Sequence, residues 1–413
     1  MFTRPTTWRG ETMHPRGHIG SEPRPIRVAL YSHDSVGLGH TRRNLAIAHA
    51  LAEELPRHTG RSATGLLLTS LPIPTHHLPA GFDLIGVPAI GKSEAGYRPR
   101  HLGVRMPEVL RLRSDILRAG VLGFRPDLLV IDRHVHGVGG ELDATLATVR
   151  RQLPLTRVVL GLREVLDDPA TVASEWAGLD LHAVRRHLDA IWVYGDPVVH
   201  DLRSTGEVPA ELADLVTPTG YLAAGRHRHG STEHERPYVL TMVGGGSDGT
   251  RLCLAAAAAP APVGHTHVVV TGPQMSVDDH RAVVAAAGPD TLVLRSVPDG
   301  LESISGAAAI VTMAGYNSVT EALPFGGPML LVPRETPRTE QLIRARSLER
   351  VGAVDVLRGE DLNASRLGTW LAGAVGRRVD RSHLDLGGLT TVSRLAAGLV
   401  TDLTLQEVSD VAV

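Results

Sequence analysis

The sequence predicts an α/β fold of two Rossmann-like domains, each a doubly wound parallel sheet, facing each other across a cleft. Three observations lead there. Residues 26–32 (IRVALYS) form a short apolar run typical of a strand buried on both faces. The run breaks at 36–40 (VGLGH) and passes into 41–55, where Leu45, Ala48, Leu51, Ala52 and Leu55 fall on one helical stripe. The same plan restarts at 238–243, with a glycine turn at 244–249 and an alanine-rich helix at 250–259. Around these openings, apolar runs at 65–69, 83–87, 127–131, 157–160, 190–194, 266–271, 291–294, 309–312 and 329–332 are spaced by helix-like stretches, the alternation that parallel sheets require.

The remaining segments follow in order. Residues 1–25 carry prolines and glycines among scattered charges without periodicity and read as a disordered tail. The first domain spans 26–222, a polar aperiodic linker 223–237, and the second domain 238–385. Residues 386–413 form an amphipathic helical segment expected to pack back across the domains. With 413 residues, 43% hydrophobic and 21% charged, the chain has an ordinary globular composition. A net charge of −2 argues against nucleic acid as a partner. Cys253 is the lone cysteine, which excludes an internal disulfide and a cysteine-based zinc site. There is no run of 18 apolar residues and no apolar leader, so the expected location is the cytoplasm. Lys92 is the only lysine among 42 basic residues, and most of that arginine excess reads as codon bias.

A glycine turn between a strand and a helix gathers free backbone N–H groups, and glycine lets an anion approach with no Cβ in the way. In GGGSDG, Gly245, Gly246 and Ser247 make the better cradle, with Asp248 expected to cap the following helix. Neither turn is a G-x-G-x-x-G with an acid downstream, and neither is a P-loop, which weighs against a nicotinamide dehydrogenase and an NTPase. A third strand–glycine–helix passage, 312–323 (TMAGYNSVTEAL), places Gly315, Asn317 and Ser318 where phosphates sit and Glu321 where an acid meets a ribose diol. Glu340 and Gln341 form an acceptor–donor pair suited to sugar hydroxyls, or else the first turn of a helix capped by Thr339.

These motifs resemble those of family 28 glycosyltransferases of the GT-B fold, among them the peptidoglycan lipid-intermediate N-acetylglucosaminyltransferase. The resemblance implies a UDP-sugar donor held by Gly245, Gly246 and Ser247 and by Gly315, Asn317 and Ser318. It puts Glu321 on the ribose, Glu340 and Gln341 on the donor sugar, and the 294–299 segment with Val297 around the base. Glu340 stands where the lipid-linked enzymes carry glutamine, which leaves the donor sugar open. Over 26–400 the chain resembles more closely an uncharacterised group of predicted bacterial glycosyltransferases. Their motifs YSHDxxGLGHxRR, VLGLRE, MxGYN and VPRxxPRxEQxxRA fall here at 31–43, 159–164, 313–317 and 332–345.

The implied activity is metal-independent transfer of a sugar from a nucleotide sugar to an unidentified acceptor hydroxyl, with inversion. Such a transfer needs a base for the acceptor proton and a cradle for the leaving diphosphate. His40 is the first candidate base, its other readings being a helix cap or a phosphate ligand. Asp132 and His134, just past the strand at 127–131, are further candidates, and His33 with Asp34 makes a second pair. Gly37, Gly39, Arg43, Arg163 and Arg338 are assigned to the acceptor or the phosphates, with ion pairs to Glu164 or Glu335 as the competing role for Arg163 and Arg338. His134 and His136 have no evident third ligand and there is no D-x-D motif, so neither a metal nor a cofactor beyond the substrate is expected. The stretch 86–100, with Lys92, Arg98 and Arg100, reads as an acceptor-side loop over the cleft, with peripheral contact at the inner membrane face as the alternative. A UDP-sugar hydrolase or 2-epimerase on the same fold, and a non-catalytic nucleotide-sugar-binding protein, are the competing functions.

Overall fold

The computed structural model describes residues 23–33, 39–71, 73, 77–93, 96–227 and 236–411. Gly37, Asp34, most of the tail and part of the 223–237 stretch lie outside the described residues. The apolar runs become the strands of two parallel sheets. The first uses β1 (Ile26–Tyr31), β2 (Ala63–Thr69) and β3 (Phe82–Gly86). After a separate antiparallel hairpin of β4 (Ile90–Ser93) and β5 (Gly96–Pro99), it continues with β6 (Leu128–Asp132), β7 (Arg157–Arg163), β8 (Ala190–Tyr194) and β9 (Val216–Pro218). The second sheet uses β10 (Tyr238–Met242), β11 (Thr266–Val270), β12 (Thr291–Leu294), β13 (Ile310–Thr312), β14 (Met329–Leu331) and β15 (Asp355–Val356).

Helices cover the first sheet: α1 (Gly39–Thr59), α2 (Met106–Phe124), α3 (Asp143–Gln152), α4 (Pro169–Ala177) and α5 (Leu181–His187). The second sheet carries α6 (Thr250–Ala257), α7 (Val277–Ala285), α8 (Gly300–Ser305), α9 (Tyr316–Ala322), α10 (Glu340–Arg350) and α11 (Ala364–Ala374). The apolar stripe of α1 buries Ile47, Leu51 and Leu55 completely, each contributing about 1.5–3 kcal/mol. The closing helix α12 (Gly388–Val411) returns to the first domain, where Leu389, Val392, Ala396 and Val400 share one hydrophobic cluster with those side chains. The two passages between domains are hydrogen-bonded to each other: Tyr221 N–H donates to the Asp385 carbonyl at 2.8 Å and Gly388 N–H to the Tyr221 carbonyl at 2.9 Å.

Strand order positions the site. The sheets run β3-β2-β1-β6-β7-β8-β9 and β12-β11-β10-β13-β14-β15, so each reverses direction beside its first strand. At such a reversal the connections leave to opposite sides and open a crevice at the carboxyl ends of the strands. One crevice lies between β1 and β6, the other between β10 and β13.

Candidate active site

The first crevice holds a histidine–carboxylate dyad. His40 is in the opening turn of α1 and Asp132 closes β6; His40 Nδ1 lies 2.7 Å from Asp132 Oδ2. A carboxylate only accepts here, so Nδ1 carries the proton and Nε2 is left as the basic nitrogen. His40 therefore does not cap its helix. Asp132 is 1% exposed, and Arg43 Nη2 donates to its two oxygens at 2.6 and 2.8 Å. Burial pushes the Asp132 pKa upward, but Arg43 and His40 outweigh it and hold the carboxyl well below the usual carboxylate range. Arg43 is thus paired with Asp132 while also lining the cavity between the domains.

The His33 ring lies 4.2 Å from that of His40, and His134 lies 5.0 Å from His33. Burial, with Arg133 beside it, pushes His134 down to about 3, and burial also lowers His33 well below the ordinary histidine value. Both rings are neutral near pH 7, and so weak a base as His134 is poorly matched to a hydroxyl proton. His136 pairs with Asp143 instead of facing His134. Among the described residues no group of three His, Cys, Asp or Glu side chains could hold a metal.

Between the two crevices lies a cavity of about 260 Å³, with Gly39, His40 and Arg163 on one wall and Gly244–Ser247, Gly315, Asn317, Ser318 and Gln341 on the other. Gly244 and Gly246 have φ of +67° and +92°, and a Cβ on Gly246 would sit 2.1 Å from the Thr271 carbonyl oxygen, so the turn itself demands glycine there. Asp248 does not cap α6: Gly249 occupies the cap, and Asp248 accepts from Arg334 Nη1 at 2.9 Å. A guanidinium outcompetes the helix amide for that carboxylate. The same guanidinium donates to Glu340 Oε1 at 2.6 Å, while Glu340 Oε2 is buried without a partner. Gln341 Oε1 accepts from the Arg334 backbone N–H at 3.0 Å. Thr339 stands at the cap position of α10 without capping it, because its N–H and hydroxyl both donate to Asp167 of the first domain.

The expected ion pairs of Arg163 and Arg338 are not the ones formed. Glu164 goes to Arg344, Glu335 to Arg358, and Arg338 to Asp167 and Glu175 at 2.8 and 2.9 Å. Arg338 accordingly works across the domain boundary and does not line the cavity. Arg163 opens into the cavity with its Nε buried and unpartnered. Burial, with the like charges of Arg344 and Arg43, pulls its pKa down to about 10.

A second cavity of about 380 Å³ continues along the cleft, lined by Leu45 and Ala46 of α1, by Met242 and Val270, and by Ser296 and Val297 beyond β12. Glu321 lines this second cavity, while Arg42 and Gly244 line both. Glu321 is 2% exposed, accepts from Arg42 at 2.6 Å and Arg226 at 2.8 Å through Oε1, and leaves Oε2 buried and unpartnered. Asn317 Nδ2 donates to the Gly39 carbonyl at 2.8 Å, bringing the two domains together at this point. Sequence reasoning gave Arg42 no role beyond its place in the 31–43 motif and missed Arg226. Because α9 has only seven residues, its dipole adds little, and the attraction for an anion rests on the glycine turn and Arg163.

Known proteins share this fold. Residues 240–374 match the glycosyltransferase family 28 C-terminal domain. An uncharacterized glycosyltransferase of Methanosarcina acetivorans is 23% identical over 342 residues, covering 76% of this chain and 82% of its own length. The solved structure of the glycotransferase of kitacinnamycin superposes with a TM-score of 0.56 at 17% identity, over 93% of this chain and 99% of that one. The chain is a GT-B glycosyltransferase. Among solved relatives of this glycosyltransferase fold, Phytolacca americana UGT2, complexed with UDP-2-fluoro-glucose and pterostilbene, gives a TM-score of 0.57 at 14% identity, over 93% of this chain and 99% of that one. Among the described residues of the enzyme, no helix is long and apolar enough to cross a membrane.

Proposed function

We propose that the enzyme moves a sugar from a UDP-sugar to an acceptor hydroxyl, with inversion and without a metal ion. One observation carries this reading. Among the buried polar atoms without partners are Glu321 Oε2 and Glu340 Oε2 of the second domain and, on the facing first domain with the His40–Asp132 dyad, Arg163 Nε. Unpartnered buried polar atoms are costly, and a ligand with a diol, a diphosphate and a sugar satisfies Glu321, Arg163 and Glu340 in that order. The base would lie in the 380 Å³ cavity beside Val297, the ribose on Glu321, and the diphosphate against the glycine turn, Ser318 and Arg163. The sugar would reach Glu340 and Gln341. The Phytolacca relative, whose structure holds UDP-2-fluoro-glucose, supports the donor class.

The chemistry follows from the dyad. His40 Nε2 takes the acceptor hydroxyl proton as the oxygen bonds to the anomeric carbon. The bond from that carbon to the diphosphate breaks on the opposite face, and Arg163 neutralises the leaving group. Asp132 fixes the tautomer and stabilises the imidazolium. The motifs at 31–43, 159–164, 313–317 and 332–345 support a resemblance to the uncharacterised bacterial group. We further propose that the acceptor side touches a membrane surface through the β4–β5 hairpin and the segment before α2, where Tyr97, Leu102 and Val104 are exposed beside Arg98, Arg100 and Arg105.

Calorimetric titration with UDP, GDP and dTDP, repeated for Glu321→Ala, tests the donor site; selective UDP binding that the substitution weakens is the expected result. Transfer that persists in EDTA checks metal independence. A hydrolase would release the sugar at a rate no acceptor raises, and a non-catalytic binder would take up UDP without turnover.

A further inference from the structure

The transfer chemistry leaves unused a buried ion pair between the two domains. Glu164 follows Arg163 at the end of β7, Arg344 lies on α10 of the other domain, and both side chains are 1% exposed. Arg344 Nε donates to Glu164 Oε1 at 2.6 Å and Nη2 to Oε2 at 3.1 Å, a bidentate fork. The backbone is shaped around this pair: a Cβ on Gly195 would lie 2.2 Å from Glu164 Cβ. The third donor of the guanidinium, Nη1, goes to the Ala314 carbonyl at 3.0 Å.

Ala314 is the informative partner. Its φ is +62°, a left-handed conformation that costs an alanine and costs a glycine almost nothing. The next residues, Gly315 to Ser318, line the 260 Å³ cavity. Two guanidiniums lie over the Tyr316 ring, with Arg43 Cζ 5.5 Å and Arg344 Cζ 5.7 Å from its centroid. The cavity wall is thus tied both to the His40–Asp132–Arg43 group and, through Arg344, to Glu164.

We propose that Arg344, oriented by Glu164 of the opposite domain, is a positioning residue that holds Ala314 in its left-handed turn and so shapes the cavity wall for the donor diphosphate. Donor affinity is then conditional on domain contact: parting the domains removes Glu164, frees the guanidinium and releases the turn. This rests on the donor reading above.

The test uses the full chain, with Arg344→Lys and Glu164→Gln each made alone and combined with Ala314→Gly. UDP is the calorimetric probe. Each single substitution is expected to weaken UDP about tenfold, and adding Ala314→Gly to bring affinity back within about threefold, because glycine makes the turn unaided. Equal losses with and without Ala314→Gly, or no loss at all, overturn the proposal. Glu164→Gln, isosteric and still an acceptor, serves where Arg344→Lys does not fold. Amide exchange at 314–318 without nucleotide gives a second readout: faster in the single variants, restored in the combined ones. Should the unaltered chain bind no UDP, the donor reading fails, and exchange rates unchanged by Arg344→Lys would sink the positioning role separately.

Discussion

Replacing Arg163 by methionine should stabilise the free enzyme and weaken its hold on nucleotide, two effects of opposite sign from one side chain. Burial and the neighbouring guanidiniums of Arg344 and Arg43 lower its pKa to about 10, which corresponds to about 3 kcal/mol against the charged form in the folded state. Its Nε has no partner whose loss would offset the gain. Methionine forfeits part of the packing, so the expected rise in unfolding free energy is about 1–2 kcal/mol. In the nucleotide complex the same substitution removes a charge-assisted hydrogen bond worth about 1.5–3 kcal/mol, or about 10–150-fold in Kd. Urea denaturation with the slope checked for constancy gives the first number and UDP titration the second. An Arg163→Met protein that is less stable than its parent yet binds UDP equally well would refute the reasoning, because the arginine would then be structural.

Further outcomes follow from the same geometry. His40→Ala should lower kcat by about 10²–10⁴-fold while leaving UDP affinity within about twofold, as measured by initial rates alongside calorimetry. Asp132→Asn should lower kcat comparably and also cost about 1–3 kcal/mol of stability, since an amide cannot satisfy both His40 and Arg43; unchanged thermal stability would contradict this. Glu321→Ala should weaken UDP roughly tenfold by removing the carboxylate offered to the ribose. Asp167 gives a pH signature. Burial raises its pKa, but Arg338 and the Thr339 amide outweigh burial and leave it below 3.8. Its contribution is therefore complete above pH 3.8 and lost as pH falls through the lowered value, so Asp167→Asn should flatten the acid limb of the stability curve below about pH 4.

The parallel core was legible because its strands are buried on both faces and read as unbroken apolar runs, as β6 and β10 show. The edge strands were not: β15 has two residues and β9 ends on Pro218, too little for any pattern to register. The β4–β5 hairpin was read as a loop because its glycines and charges resemble one. At the site, Gly244 and Gly246 were legible because their positive φ leaves few other residues possible. His40 and Asp132 could each be picked out, but they stand 92 positions apart, and only the β1–β6 adjacency pairs them. Asp248 followed the capping rule in sequence and broke it in space, since a cation arriving from 86 residues away took its side chain. Arg226 lies in a stretch read as linker, yet its guanidinium is buried against Glu321.

The chain passes between the lobes at 219–224 and again at 385–388, and the two passages run antiparallel, with Leu222 bridged to Gly387. Such a connection is a ribbon, not a thread. Any opening of the cleft must therefore bend two adjacent backbone segments together. The topology has a practical corollary: a scission at 385–388 leaves the lobes covalently joined through 219–224, whereas a scission at 219–224 leaves them held only by contacts such as the packing of α12 on the first domain.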